Sequence, residues 1–418
     1  MRIAFVSYEY PPDTAKGGIA TYVEQAANML TQRGHTVEVF TASSTRSGCE
    51  GRDNLKVHRI RVNNRSNFSE AILPIFASCH EFEKFDVVEG PDYGAEASAI
   101  TKRFPDLPLV LKLHTPSYIL RSVGRISMTP AAKLRFTLGA LRRGQWPQLP
   151  QPQLAYDYSL DTEYHHALRA QSIASPSIAI RDRIKTDWRL DDKAFSLVPY
   201  PYIPSPDILN IPLDTDTRRV TFIGRLEARK GILDLMKAVP MVLKQSSNVK
   251  FRFVGPPWPS PIKGLNMKEY MQKKLWRYSG AIEFTDAVPL RKIPTFLSET
   301  DVCVFPSVWE SFGLVCLEAM AAGRGVVASS AGGMAELLDG GKAGLLIPPK
   351  DPVSIATSIL KLLREPLLRR QYGAFARERV LLHYSLDCIG VLQEENYIHA
   401  IKQLPSSQMI PSQKYSVS

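Results

Sequence analysis

Two glutamates, Glu310 and Glu318, stand eight residues apart in the part of the chain where reactive side chains are most concentrated. Glu310 falls in a predicted turn after the apolar run DVCVF, and Glu318 lies one to two turns into the helix that follows. A carboxylate on that helix can accept two hydrogen bonds from the ribose hydroxyls of a nucleotide, and one in the turn can bind sugar hydroxyls. Two carboxylates at this spacing are also typical of a solvated surface, so the residues around them must decide.

The helix that carries Glu318 opens on Phe312 and Gly313, and the glycine leaves the helix N-terminus accessible to a ligand. The first N–H groups of a helix have no intrahelical partners, and the helix dipole favours an anion beside them. The N–H groups of Gly313, Leu314 and Val315 are therefore predicted to bind a phosphate.

Two cations, Arg225 and Lys230, follow the predicted strand RRVTFIG. Cations at a strand end can converge on a diphosphate and neutralise the charge that grows on it as a glycosidic bond breaks, which is the task of Mg²⁺ in other enzymes. The pair thus predicts diphosphate binding without a metal. Arg229 lies between them and composition does not distinguish it, and the alternative is that all these cations are surface charges.

The N-terminal half offers a glycine pair and one histidine as candidates. Gly17 and Gly18 precede the first predicted helix, where paired glycines let a ligand approach the backbone, although turn chemistry alone also explains them. His114 ends the predicted strand LVLKL. A single histidine is more often structural, but its place at the carboxyl end of a strand favours a polar role.

Both halves of the 418-residue chain alternate short apolar runs with helical patterns, which is typical of parallel sheets flanked by helices. The proline-rich run SLVPYPYIPSPD separates the halves. We predict an α/β chain of two Rossmann-like, doubly wound domains that face a deep cleft. Ligands of such sheets bind at the carboxyl ends of the strands, so the active site is expected in that cleft.

Composition narrows the class of protein. The five cysteines are scattered without a CxxC pair, which suggests neither a zinc site nor a disulfide framework and favours a reducing, cytoplasmic compartment. The first apolar run is far shorter than the roughly 18 residues of a membrane span. The net charge of +11 suits phosphorylated substrates, and no recognisable nucleic-acid-binding motif accompanies it, so no nucleic-acid partner is predicted.

Residues 301–349 closely resemble the signature region of the retaining GT-B glycosyltransferases of family 4, also called glycosyl transferases group 1. Their pattern ExFGxxxLEAMAxGxPVVA matches Glu310, Phe312, Gly313, Leu317, Glu318, Ala319, Met320, Ala321, Gly323, Val326, Val327 and Ala328. The family's GRLxxxKG pattern matches Arg225 and Lys230. One departure is Tyr200-Pro201, where the family has Asn-Gly.

The resemblance implies roles for the candidate residues. Glu310 would contact the donor sugar, Glu318 the ribose, the 312–315 turn the diphosphate, and Arg225 and Lys230 the same diphosphate. Gly17 and Gly18 would lie over the donor phosphates or beside the acceptor, and His114 would touch the donor sugar or the acceptor. Glu310, His114, Arg225 and Lys230 are the predicted catalytic set, and no metal or other cofactor is expected.

The implied activity is transfer of a hexose, with retention of configuration, from a UDP-, GDP- or ADP-sugar to a hydroxyl of a glycan, lipid-linked or small-molecule acceptor. Two alternatives stay open: a GT-B relative with other sugar-nucleotide chemistry, such as an epimerase, and a non-catalytic sugar-nucleotide-binding protein. A Rossmann dehydrogenase is disfavoured because no GxGxxG follows the first predicted strand.

We predict five regions along the chain. They are an N-terminal acceptor-side domain over 1–200, a proline-rich linker over 201–217, a C-terminal donor domain over 218–390, a C-terminal helix over 391–403 that is a candidate for crossing back to the first domain, and a flexible tail over 404–418.

One segment, residues 115–156, contains no acidic residue. Within it, residues 130–143 predict a basic amphipathic helix. One interpretation is a solvated loop and helix packed on the domain. The other is a peripheral contact with the inner membrane face or with an anionic acceptor, because lysine and arginine are attracted to anionic surfaces and apolar side chains can enter the interface.

Overall fold

The structure is a computed structural model that describes residues 1–14, 17–52, 54–123, 130–142, 156–262 and 264–403. The chain forms two α/β domains, each built on its own largely parallel sheet with helices against it. This confirms the predicted GT-B architecture. The predicted tail over 404–418 lies outside the described residues.

The N-terminal sheet has eight strands in the order β3-β4-β2-β1-β5-β6-β7-β8, and β3 pairs antiparallel with β4 while the other pairs are parallel. Its strands are β1 (Arg2–Ser7), β2 (Thr36–Ser43), β3 (Gly48–Arg52), β4 (Leu55–Arg61), β5 (Val87–Pro91), β6 (Leu109–Lys112), β7 (Ser172–Ser175) and β8 (Phe195–Leu197). The α-helices of this domain are α1 (Gly18–Gln32), α2 (Phe68–Phe82), α3 (Ser98–Arg103), α4 (Ser117–Val123), α5 (Pro130–Arg142), α6 (Thr162–Arg169) and α7 (Ile178–Asp187).

The C-terminal sheet has six parallel strands in the order β11-β10-β9-β12-β13-β14. Its strands are β9 (Arg219–Ile223), β10 (Lys250–Val254), β11 (Ile282–Thr285), β12 (Val302–Phe305), β13 (Gly325–Ser329) and β14 (Leu345–Ile347). The remaining helices are α8 (Pro206–Leu209), α9 (Ile232–Gln245), α10 (Met267–Lys274), α11 (Ile293–Ser298), α12 (Leu314–Ala321), α13 (Met334–Leu337), α14 (Pro352–Arg364), α15 (Pro366–His383) and α16 (Leu386–Lys402).

The central strands are apolar because helices cover both faces of a doubly wound sheet. Strand β12, for example, is buried along its whole length. The proline-rich segment between the domains is also packed rather than free. Tyr202 and Ile208 within it are buried, and α8 starts with Pro206, which suits the first turn of a helix because that N–H needs no partner.

Helix α16 leaves the C-terminal domain and packs on strands β5, β6 and β7 of the N-terminal sheet. It begins at Leu386, five residues before the predicted 391–403 helix. Buried Glu89 of β5 accepts hydrogen bonds from Tyr397 at 2.7 Å and from Gln393 at 3.1 Å, both on α16. Tyr22 of α1 donates to the same carboxylate at 2.6 Å. The helix is therefore bound to the first domain by a buried polar network as well as by apolar contacts.

Candidate active site

A cleft of about 320 Å³ lies between the two domains, at the carboxyl ends of strands from both sheets. That volume falls within the range of small-molecule sites. The polar and glycine residues that line it from the N-terminal domain and the linker are Glu9, Gly17, Gly18, Arg65, Tyr93, His114, Thr115 and Tyr200. From the C-terminal domain they are Gly224, Arg225, Arg229, Lys230, Ser307, Glu310, Ser311 and Gly313.

The structure brings nearly all of the sequence-predicted site residues to this cleft. Those that line it are Gly17, Gly18, His114, Arg225, Lys230, Glu310, Phe312, Gly313, Leu314 and Val315. Glu318 stands apart from this set, half-buried in the second turn of α12.

Lys230 and Glu310 form the central ion pair of the C-terminal wall. Arg229 adds a second cation, with its Nη1 3.8 Å from the Glu310 carboxylate. The turn that presents Lys230 depends on Gly231, which has φ of 71°. A Cβ at Gly231 would lie 1.8 Å from the carbonyl oxygen of Pro306, so only glycine lets the turn after β9 approach the end of β12 this closely.

A second carboxylate, that of Glu227, holds the third cation, Arg225, in place. Glu227 accepts from Arg229 Nε at 2.7 Å and lies 3.2 Å from Arg225 Nε. The Arg225 guanidinium also lies 5.0 Å from the centre of the Trp258 ring, a cation–π distance. The three cations are thus fixed by carboxylates and an aromatic ring before any ligand enters.

Burial and charge act in opposite directions on the Lys230–Glu310 pair. Burial alone would raise the pKa of Glu310, but Lys230 and Arg229 outweigh it and hold that pKa below its usual value. Burial lowers the pKa of Lys230, and Glu310 offsets only part of this effect. Glu310 is therefore a carboxylate at neutral pH and can accept hydrogen bonds from hydroxyls.

Helix α12 begins beside this pair. Gly313 has φ of 115°, and with Leu314 and Val315 it lines the cleft. A residue with a Cβ is strained at such a φ, so the glycine sets the angle at which the helix enters. The start of α12 and the three cations line the same cleft, and both favour an anion there.

Glu318 carries a perturbed carboxyl group. Burial raises its pKa to about 7, the only cause acting on it. Near neutral pH the group therefore exchanges between a form that can donate and a carboxylate that only accepts.

His114 and Tyr200 form a hydrogen-bonded pair on the N-terminal side. The Tyr200 hydroxyl lies 2.9 Å from the Leu113 carbonyl and 2.6 Å from His114 Nδ1. A phenol has one proton, and a carbonyl can only accept, so donation to Leu113 leaves His114 Nδ1 as the donor to Tyr200. Burial holds the pKa of His114 well below its usual value, so the ring is neutral. This assignment, made from the hydrogen bonds, leaves Nε2 as an acceptor.

The rest of the N-terminal wall was not found by sequence reasoning. Arg65 donates to Glu96 at 2.6 Å and also pairs with Glu9, and its guanidinium lies 4.8 Å from the Tyr93 ring centre. Oε2 of Glu9 is buried without a hydrogen-bond partner in the described part of the chain. Of these residues, only Glu9 could have been predicted from the sequence, because it follows the carboxyl end of β1.

The two domains touch directly beside the cleft. Ser177 donates to the Ser311 carbonyl at 2.6 Å, and Thr115 donates to the Ser311 hydroxyl at 3.0 Å. The Glu336 carboxylate accepts from two N–H groups at the start of α7, each at 2.8 Å. These bonds fix the separation of the two walls in this conformation.

The predicted amphipathic helix over 130–143 corresponds to α5, Pro130–Arg142. Leu134, Leu138 and Leu141 on it are 61%, 53% and 53% exposed, and Arg135 and Arg142 are exposed beside them. The other residues of the acid-free segment at 124–129 and 143–155 lie outside the described residues. Among the helices that the structure describes, none is long and apolar enough to cross a membrane.

Comparison with known proteins identifies relatives of both domains. Residues 217–365 match the family described as glycosyl transferases group 1, and residues 16–201 match the one described as Glycosyltransferase Family 4. An uncharacterized glycosyltransferase of Methanocaldococcus jannaschii is 25% identical over 420 aligned residues, which cover 93% of this chain and 96% of that protein.

Solved structures agree on the fold. Sucrose-phosphate synthase from Thermosynechococcus elongatus superposes with a TM-score of 0.72 at 21% identity, covering 96% of this chain and 99% of the other. The Anabaena protein HepE, in complex with UDP-glucose, superposes with a TM-score of 0.62 at 18% identity, covering 94% and 99%. With two family matches on its two domains and GT-B neighbours over nearly its full length, the chain belongs to the group 1 glycosyltransferases.

Proposed function

We propose that this glycosyltransferase moves a hexose from a nucleoside diphosphate sugar to an acceptor hydroxyl with retention of configuration and without a metal. The observation that carries the proposal is that Arg225, Arg229 and Lys230 line the same cleft as the start of α12. Cations and N–H groups held in one place stabilise the charge that develops on a departing diphosphate. They supply the charge neutralisation that Mg²⁺ gives elsewhere.

The donor would lie along the C-terminal wall. Its diphosphate would contact the 312–315 turn and the cations, its sugar hydroxyls the Glu310 carboxylate, and its ribose Glu318 in the second turn of α12. The complex of HepE with UDP-glucose supports a sugar nucleotide as the donor class. The base of the donor would be uracil, guanine or adenine, and the labelled donors of the experiment below distinguish them.

In the proposed reaction, the acceptor oxygen forms a bond to the anomeric carbon on the face from which the phosphate oxygen departs. The proton of the acceptor hydroxyl passes to that phosphate oxygen. His114 would accept a hydrogen bond from a sugar hydroxyl through Nε2, since its Nδ1 proton is used on Tyr200. No general base from the protein is then needed.

The acceptor would lie against the N-terminal wall. Arg65 already pairs with Glu9 and Glu96. Of these three residues, the wall therefore offers a carboxylate that can accept hydrogen bonds, and its cation is already paired. An uncharged polyol hydroxyl fits Glu9 Oε2 better than a phosphate does, because an anion would be repelled by the two carboxylates. A glycan, a lipid-linked sugar and a small polyol all offer such a hydroxyl.

We also propose that α5 contacts the inner membrane face, which would bring a lipid-linked acceptor to the cleft of a cytoplasmic enzyme. Three exposed leucines and two exposed arginines on one helix support this. A peripheral helix of this kind gains from both anionic lipid and apolar burial.

The decisive experiment incubates the protein with labelled UDP-, GDP- and ADP-sugars and follows slow release of the sugar. One donor should be hydrolysed, with or without EDTA, and NMR should show the sugar first released with the donor's anomeric configuration. Release that strictly requires added Mg²⁺ would contradict the cationic site. Binding without release would favour a sugar-nucleotide-binding protein, and a changed sugar still attached to the nucleotide would favour an epimerase.

A further inference from the structure

A compact group of metal-ligating side chains lies on the edge of the N-terminal sheet, outside the active-site cleft. Glu38 of β2, His58 of β4 and Cys79 of α2 place a carboxylate oxygen, a ring nitrogen and a thiol within 4.8 Å of one another. Glu38 Oε2 lies 2.7 Å from His58 Nε2, and Cys79 Sγ lies 3.9 Å from the same nitrogen. Glu38 and His58 are buried and Cys79 is half-buried.

A further candidate ligand, Cys49, lies on the same face of the sheet, although the group within 4.8 Å contains only the first three residues. Cys49 of β3 is directly opposite His58 in the antiparallel pairing of β3 with β4. Residues directly opposite one another in such a pair project from the same face, with Cβ atoms roughly 5 Å apart. Cys49 is exposed, and Cys79 is only half-buried.

We infer that Glu38, His58, Cys79 and Cys49 form a structural zinc site. Two thiolates, one imidazole and one carboxylate are ligands that Zn²⁺ accepts in a closed, four-coordinate site. Calcium and magnesium are disfavoured because they prefer oxygen ligands. The four ligands come from positions 38, 49, 58 and 79, so no short spacing in the sequence reveals them.

Arg2 supports this site despite its positive charge. It donates to Glu38 Oε1 at 2.6 Å and leaves Oε2 facing His58. With both cysteines deprotonated, the three anionic ligands would balance the two charges of Zn²⁺ and the single charge of Arg2. Arg2 would thus orient the carboxylate from behind, as outer partners of metal ligands do.

The position of the site indicates a structural task. Strand β3 ends the sheet, and an unprotected edge strand is prone to pairing with other chains. The ion would join β3, β4, β2 and α2 at that edge. Removal of zinc should therefore lower the stability of the N-terminal domain and leave the cleft residues in place.

The test uses the reduced, chelator-treated full chain, to which Zn²⁺ is added in competition with a chromogenic chelator. Wild type should bind one zinc ion per chain, with a rise in melting temperature. Cys79→Ser and Cys49→Ser should each weaken zinc binding by about a hundredfold, since four ligands share the affinity of a structural site. Co²⁺ in place of zinc should give the thiolate charge-transfer absorption in wild type.

Cys388→Ser is the matched control, because it removes a half-buried thiol on α16, far along the chain from the cluster. It should bind zinc like wild type. Cys49→Ser keeps the test interpretable if the buried variants fail to fold, since Cys49 is exposed. Equal zinc affinity in wild type and Cys49→Ser, no zinc binding by the reduced protein, or a Cys49–Cys79 disulfide that persists in reductant would each overturn the inference.

Discussion

The two walls of the cleft are built in different ways. On the C-terminal side, the polar groups come from two short stretches, 224–230 and 307–313, each a turn between a strand and a helix. On the N-terminal side, Glu9, Arg65 and His114 come from three distant parts of the chain. The first wall is rich in cations and suits a diphosphate, whereas the second presents carboxylates and suits hydroxyls.

The two walls should differ in how readily their residues can be exchanged. A wall made of two contiguous turns must keep its residues together, because a substitution at Gly231 or Gly313 would displace the backbone that carries the cations or the helix start. A wall assembled from separate loops can change one residue without moving the others. The C-terminal wall is therefore expected to tolerate fewer substitutions than the N-terminal wall.

The largest effect should come from Lys230→Ala on the C-terminal wall. It removes a cation that would stabilise the departing diphosphate, and kcat should fall by roughly 10²- to 10³-fold. Steady-state kinetics with the preferred donor measures it. Lys237→Ala is the control, because Lys237 is a largely exposed cation on α9 that pairs with Asp234 outside the cleft. An equal fall in both variants would contradict the assignment.

Glu318→Gln should weaken binding of the nucleoside diphosphate by about 1 to 3 kcal/mol, because charge-assisted hydrogen bonds to the ribose are lost. The pKa of about 7 adds a pH dependence. The carboxylate is the form that accepts both hydroxyls, so affinity should rise as pH increases through 7 and stay flat in Glu318→Gln. Calorimetry at pH 6 and pH 8 measures both effects, and a parallel pH profile in the variant would contradict the ribose role.

Helix α5 of the N-terminal domain carries the proposed membrane contact. Arg135→Ala combined with Arg142→Ala should weaken binding to anionic vesicles by about 2 kcal/mol, at about 1 kcal/mol for each cation near the surface. Co-sedimentation at several salt concentrations measures it, with uncharged vesicles as the control. If wild type and the double variant partition equally, α5 is a solvated helix and the acceptor is met in solution.

The smallest effect should come from Glu9→Gln on the N-terminal wall. The exchange keeps the shape but replaces a hydrogen bond to a charged oxygen with a weaker one to a neutral oxygen, so the KM for the acceptor substrate should rise by roughly fivefold to tenfold, a loss of about 1 kcal/mol. The affinity for the donor nucleotide should not change. A rise in the donor KM instead would place Glu9 on the donor side and contradict the division of donor and acceptor between the two walls.

Sequence patterns predicted the C-terminal wall well because its residues are neighbours in the chain. The alternation of apolar runs and helical patterns also predicted the two-domain α/β fold. The predicted turns after β9 and β12 pointed to Arg225, Lys230 and Glu310 as site residues. Arg229 was not separable from its neighbours, since only the packing shows that it reaches Glu310.

The N-terminal wall was mostly beyond prediction. Arg65, in a 3-10 turn before α2, bonds Glu96 in the segment that follows β5, and 31 residues separate them. The tautomer of His114 depends on Tyr200, 86 residues away, at a position where the sequence departs from the family pattern. These contacts depend on the order of the strands in the sheet. The spacing of residues within a short stretch of sequence does not specify that order.

Helix α16 gives the molecule two crossings between its domains, one after β8 and one before Leu386. A single connection would allow the two domains to rotate relative to each other in any direction. Two adjacent connections leave mainly a hinge rotation about the line that joins them. Without α16 the buried Glu89 would lose the Gln393 and Tyr397 partners, and an apolar face of the sheet would be uncovered. Helix α16 thus completes the first domain, and we expect that domain to fold fully only when α16 is present.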